Sequence, residues 1–147
     1  MEPTRVLLAG PAAVCCKRLL HVLDDAYDIL RCETLDHAVE RIQHESPDLI
    51  VLCYLFDEMR PFRLVHHVRN DLRRPDLPIL LVQPVDWHLD DAQIKQMSDA
   101  YESIGINGFV NFREDVETYG EQKALQRFRT AVTSLLRSQP SKAGTPG

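Results

Sequence analysis

Five short apolar runs alternate with stretches whose apolar residues recur at helical spacing, and this alternation constrains the fold more than any other feature of the chain. The runs are Arg5 to Ala9, Tyr27 to Cys32, Pro47 to about Cys53 or Tyr54, Ile79 to Val82, and Gly108 to Phe112. Each is too short for a buried helix, and the most continuous, Leu49 to Leu52 and Ile79 to Val82, are too apolar for a strand with one wet face. Between them, Cys16, Leu19, Leu20 and Leu23 recur at i, i+3, i+4 and i+7, the mark of one buried helix face. Leu35, Ala38, Val39 and Ile42 repeat the pattern behind Thr34, a suitable N-cap. A third helix opens at Pro61 and carries the stripe Phe62, Val65, Val68, Arg69 and Leu72. A fourth begins near Asp90 or Asp91, buries Ile94, Met97, Tyr101 and Ile104, and ends at Gly105. The last runs from about Gly120 to Arg137, with Ala124, Leu125, Phe128, Val132, Leu135 and Leu136 on one side. Alternating strands and helices of this kind predict an α/β fold, a parallel sheet with helices on both faces.

Composition narrows the function classes. A formal net charge of −5 gives no global electrostatic reason to bind nucleic acid or an anionic membrane. Arg69, Arg73 and Arg74 form a basic cluster at a helix end, read as dipole capping on a solvated surface. No apolar stretch approaches the roughly 20 residues that span a bilayer. The first residues lack the basic start and apolar core of a secretory signal, so a cytoplasmic location is expected. The 4 cysteines, Cys15, Cys16, Cys32 and Cys53, show no CxxC spacing, and reduced thiols are expected. His66 and His67 are adjacent and not at i, i+4, so neither a metal nor any other cofactor is predicted.

Three strings carry a resemblance. They are Arg5-Val6-Leu7-Leu8-Ala9-Gly10-Pro11, Ser46-Pro47-Asp48-Leu49-Ile50-Val51-Leu52, and Gly105-Ile106-Asn107-Gly108-Phe109-Val110. In this order and spacing the chain, from about Thr4 to Arg137, resembles the receiver domains of response regulators. The resemblance implies a flavodoxin-like five-stranded sheet in the order 2-1-3-4-5. It also implies one receiver-like domain over residues 1–138. Residues 139–147, rich in Ser, Pro and Gly, read as a flexible tail or the start of a linker.

Receiver chemistry moves a phosphoryl group from a histidine donor onto an aspartate. It needs Mg²⁺ held by further carboxylates, and a hydroxyl and a lysine to hold the phosphoryl oxygens. At the matching positions this chain has Ala9 and Gly10 for the acidic pair, Cys53 for the acceptor, Gln83 for the hydroxyl and Phe112 for the lysine. The proline that follows the lysine is Arg113. The resemblance therefore implies a pseudo-receiver without catalytic residues. Asp57 stands as a displaced acceptor only if a loop carboxylate without an acidic pair can serve, and a solvated loop residue is the simpler reading. Arg113 could offer charge to an anion or lie on the surface.

Cys53 has a plain reading and two sharper ones. The plain one is a buried thiol that fills the old site; the others are a redox thiol, which needs a cation or helix N-terminus nearby, and a metal ligand. The stretch between Gln83 and Phe112 is longer than receivers usually have, and Trp87 lies in the added length. The fourth helix, fifth strand and fifth helix form the face receivers use for dimerisation and output. Trp87, Ile94, Met97, Tyr101 and Phe109 are accordingly the candidate interface, for a protein partner or a homodimer. The leading expectation is a non-enzymatic interaction module in two-component-type signalling, with no membrane contact and no direct nucleic-acid binding. The alternative is a ligand or redox sensor built on the crevice around Ala9, Gly10, Cys53 and Gln83.

Overall fold

The computed structural model describes residues 4–10, 14–54, 56, 61–83 and 90–137. The strands β1 (Arg5–Ala9), β2 (Asp28–Cys32), β3 (Leu49–Cys53), β4 (Ile79–Gln83) and β5 (Gly108–Asn111) form one sheet in the order β2-β1-β3-β4-β5. Every pairing is parallel. The expected α/β architecture and strand order are both present.

Strand periodicity divides the core into two layers. Leu7, Ala9, Ile50, Leu52, Ile79 and Leu81 face one side, under α2 (Leu35–Glu45), α3 (Phe62–His66) and α4 (Asp91–Ile104). Val6, Leu8, Leu49, Val51, Leu80 and Val82 face the other, under α1 (Val14–Asp24) and α6 (Glu121–Arg137). Within the central strands β3 and β4 every residue is buried, which explains why these runs show no polar alternation.

The helix ends follow their local chemistry. Thr34 caps α2 by accepting from the His37 N–H at 3.3 Å. Asp90 opens α4 with a reciprocal capping box: its carboxylate accepts from the Gln93 N–H at 2.7 Å, and Gln93 accepts from the Asp90 N–H at 3.0 Å. Gly105 closes α4 at φ 118, and its N–H donates to the Tyr101 and Glu102 carbonyls. A Cβ there would lie 2.8 Å from Arg69 Nε, so glycine is needed for both backbone and space.

Three features depart from the sequence reading. Helix α3 gives way to a π turn over His67–Asp71, where the Leu72 N–H donates to the His67 carbonyl. Strand β5 stops at Asn111, whose side chain accepts from the Glu114 N–H at 3.0 Å and starts an additional helix, α5 (Phe112–Tyr119). Phe112 therefore opens a helix and does not end a strand. Ile104, expected on the buried face of α4, is 43% exposed. The tail expected over 139–147 and the lengthened loop that holds Trp87 lie outside the described residues, as does Asp57.

Candidate functional site

The carboxyl ends of β1, β3, β4 and β5 bring the five positions singled out in the sequence to one end of the sheet. Ala9 ends β1, and the N–H of buried Gly10 donates to the Cys32 carbonyl at 3.0 Å, extending the ladder to β2. Cys53 ends β3 opposite Val82 and is 1% exposed. Gln83 ends β4 opposite Asn111 and is 0% exposed. Phe112 follows β5 and is also 0% exposed, in the same apolar cluster as Leu8, Val82 and Phe128. The Asn111 cap turns the chain into α5 at this point, so Phe112 packs inward. Here an apolar ring fills the position where a lysine would reach over the sheet.

None of these five side chains can supply a carboxylate, a hydroxyl or an ammonium group. Among the described residues, no cluster of three or more His, Cys, Asp or Glu is arranged to hold a metal ion. The cavity beside Gln83 measures about 70 Å³ and is lined also by Asn111, Arg113 and three carboxylates, Asp91, Glu114 and Glu117. That is well under the roughly 300–1,000 Å³ of small-molecule sites. Arg113 pairs with Glu117 one turn along α5 at 3.5 Å. A shallow opening at the β1–β2 end holds about 350 Å³ and is lined by Gly10, Arg31, Cys32 and the start of α2. Burial pushes the Cys32 thiol up to about 12; the nearby Arg41 charge pulls it down and Glu33 adds to the rise. A thiol held that high is protonated at neutral pH and is a poor nucleophile.

The candidate interface residues separate. Ile94 and Phe109 line a groove of about 850 Å³ between α4, β5 and α6, with Lys95, Asp99, Lys123 and Arg127 around them. Met97 packs against the α2–α3–α4 layer, and Tyr101 is buried within it. Burial pushes the Tyr101 phenol up to about 12, against a hydrogen bond with the Phe62 backbone that lowers it. Trp87 is outside the described residues.

The sequence reading of Arg69 as part of a solvated basic cluster with Arg73 and Arg74 is corrected by the structure, because its guanidinium turns inward onto backbone carbonyls. Arg69 stands half-buried at the opposite end of the sheet from Cys53 and donates five hydrogen bonds. Two reach the Gly105 carbonyl, at 3.1 and 2.7 Å. Others reach the carbonyls of Arg74 and Leu77 and, at 2.9 Å, Asn107 Oδ1. Asn107 Oδ1 also accepts from the Ile79 N–H at 2.8 Å, so one network ties α3, β4 and the approach to β5 together. Burial lowers the Arg69 pKa while Asp76 raises it, and the guanidinium stays charged. Its signal was present in the sequence: a lone arginine in an apolar stripe.

Solved structures of receiver domains match this arrangement over almost its whole length. The receiver domain of NtrX from Brucella abortus superposes with a TM-score of 0.69 at 14% identity, covering 90% of this chain and 98% of that one. The fold is that of receiver domains. A two-component response regulator from Clostridium difficile gives a TM-score of 0.66 at 18% identity, covering 94% of this chain and 99% of that one. The chemotaxis response regulator CheY4 of Vibrio cholerae gives 0.64 at 19% identity, covering 89% and 99%. No family model matches the chain, and no curated protein does.

Proposed function

We propose that this chain is a pseudo-receiver, a non-enzymatic module of two-component-type signalling that works by binding a protein partner and not by accepting a phosphoryl group. The observation that carries the reading is the character of the sheet's carboxyl end. Ala9, Gly10, Cys53, Gln83 and Phe112 are all buried, and Cys53, Gln83 and Phe112 stand where acceptor, hydroxyl and lysine are needed. Phosphoryl transfer depends on charge stabilisation by metal and cation at the reacting oxygens, and none of these five side chains is a metal-holding carboxylate or a cation. The fold shared with response regulators supports the signalling context and, with it, a cytoplasmic setting. The groove of α4, β5 and α6, holding Ile94 and Phe109, is the favoured contact face, for a second protein or a second copy. Burial of Cys53 and the raised pKa of Cys32 weigh against the redox alternative.

The test has two parts. Incubation with acetyl phosphate and Mg²⁺ should leave the intact mass unchanged; a phosphoryl adduct sinks the proposal. Partners captured by cross-linking in the native host should be lost with Phe109→Glu. Capture that Phe109→Glu leaves intact would remove the α4–β5–α6 face from the reading.

A further inference from the structure

The floor of the α4–β5–α6 groove is an open edge of the sheet. Strand β5 is last in the order β2-β1-β3-β4-β5, and α4 and α6 wall its free side. Asn107 donates its N–H to the Ile79 carbonyl, at the start of β4, at 2.8 Å. Backbone groups alternate in direction along a strand, so the N–H and C=O of Gly108 and Val110 point away from β4, towards the groove. Among the described residues none of these groups has a hydrogen-bond partner. The two edges of the sheet differ in protection. On β2, Asp28 and Arg31 are exposed charges of the kind that blunt an edge against further pairing. Strand β5, Gly108-Phe109-Val110-Asn111, has no charged residue.

The side chains around this edge select what it can hold. Ile94 and Phe109 supply the apolar lining on the α4 side, and half-buried Ile94 packs into neither layer of the core. The cations of the groove are engaged: Lys95 pairs with Asp99 and Arg127 with Asp115, each at 3.5 Å, and Lys123 lies over the Tyr119 ring at 5.8 Å. Asp91, at the start of α4, and Glu114, in the first turn of α5, have no ion pair among the described residues. Both also line the small cavity beside Asn111, which sets them together at the carboxyl end of β5, and Arg113 there is paired with Glu117. One end of the groove is therefore left acidic. A second copy is a poor occupant, because its own β5 lies recessed between two helices and brings no basic residue.

We propose that this edge takes up an extended segment of a partner protein as a sixth strand, with an apolar side chain over Ile94 and Phe109 and a Lys or Arg near Asp91 and Glu114. Main-chain hydrogen bonds hold the segment in such strand addition, and the side-chain contacts select it. The four residues of β5, at about 3.3 Å each, give a ladder about 13 Å long. The inference rests on the reading of this groove as the contact face, and it adds the backbone conformation and the charge of what binds there.

Short linear peptides selected by display against the intact chain are the probe. Enriched peptides should combine apolar and basic residues. In ¹⁵N-labelled protein their binding should slow amide exchange at Gly108 and Val110 more than at Phe109, whose N–H already faces β4. N-methylation of the peptide backbone, one amide at a time, should lower affinity at least about tenfold at alternate positions and little between them. The double variant Asp91→Asn, Glu114→Gln should weaken binding several-fold and flatten its salt dependence. Phe109→Glu should abolish it. Loss of binding with Phe109→Glu but no alternation in the N-methyl series overturns the added strand and leaves the contact face standing. Peptides that still bind Phe109→Glu, acidic peptides, or no enrichment at all overturn the added strand as well, and the capture experiment then decides the face separately. Slow exchange at Gly108 without peptide also overturns it: lost on dilution, it assigns the edge to a second copy; kept, to another part of the same chain.

Discussion

Replacing Cys53 with aspartate would restore the acceptor of an active receiver in name, and the structure says what it would cost. The side chain would enter a site that is 1% exposed, at the end of an all-buried strand. An aspartate in an unfolded chain has a pKa of about 3.9, and full burial raises a carboxyl by up to about 3–5 units. The unfolded state therefore releases its proton first as pH rises. Stability relative to wild type should fall by about 1.4 kcal/mol per pH unit between pH ~4 and the folded pKa, and level off above it. Close to pH 7 the loss should be about 4 kcal/mol, and at about pH 4.5 only about 1 kcal/mol, besides the cost of placing the neutral acid. Urea denaturation across this range reads both values, with Cys53→Asn as a similarly shaped control that does not titrate. Mg²⁺ should not rescue the variant, since Ala9 and Gly10 supply no carboxylates. A loss independent of pH, or one that Mg²⁺ reverses, would refute the reasoning. Either would mean that a cation reaches position 53, with Arg113 the first side chain to examine.

Three further outcomes are expected. Arg69→Ala removes charge-assisted hydrogen bonds to partly buried acceptors and should destabilise by about 3–5 kcal/mol; Arg69→Lys should recover little, because an ammonium group lacks the planar fork. The denaturation midpoint decides it, and a loss under about 1 kcal/mol would demote the network. Gly105→Ala combines φ 118 with a Cβ 2.8 Å from Arg69 Nε, and thermal unfolding should show a loss above about 1 kcal/mol. Cys32, with its thiol raised to about 12, should resist Ellman's reagent in the native protein and react once urea unfolds it. Rapid native labelling at Cys32, mapped by mass spectrometry, would contradict its burial.

The fold was legible because its central strands are buried on both faces: Leu49 to Cys53 reads as one apolar block, which is how a central parallel strand must look. The caps at Thr34, Asp90 and Gly105 were legible for a local reason, since each acts within a turn of its own position. Position 112 was legible in identity and not in setting. Its burial depends on Asn111 ending the strand one residue early, and an Asn cap inside a run of strand-like residues leaves no periodic trace. Arg69 reads locally as one of three surface arginines, because two of its acceptors, Gly105 and Asn107, lie 36 and 38 residues away, beyond any local pattern. Ile104 fits the helical repeat and still faces outward, because it lies in the last turn of α4, where α3 and α2 leave an open groove.

The Arg69 network also bears on the order in which the chain assembles. Its bonds to Gly105 and Asn107 span 36 and 38 residues, and they can close only after β4 and α4 have settled against α3. The loop entropy must be spent before these contacts form. Arg69 should therefore behave as a late clasp, nearly silent in the folding transition state and strong in the native state. Variants at this position should leave the refolding rate almost unchanged and accelerate unfolding, which makes Arg69 a determinant of native lifetime.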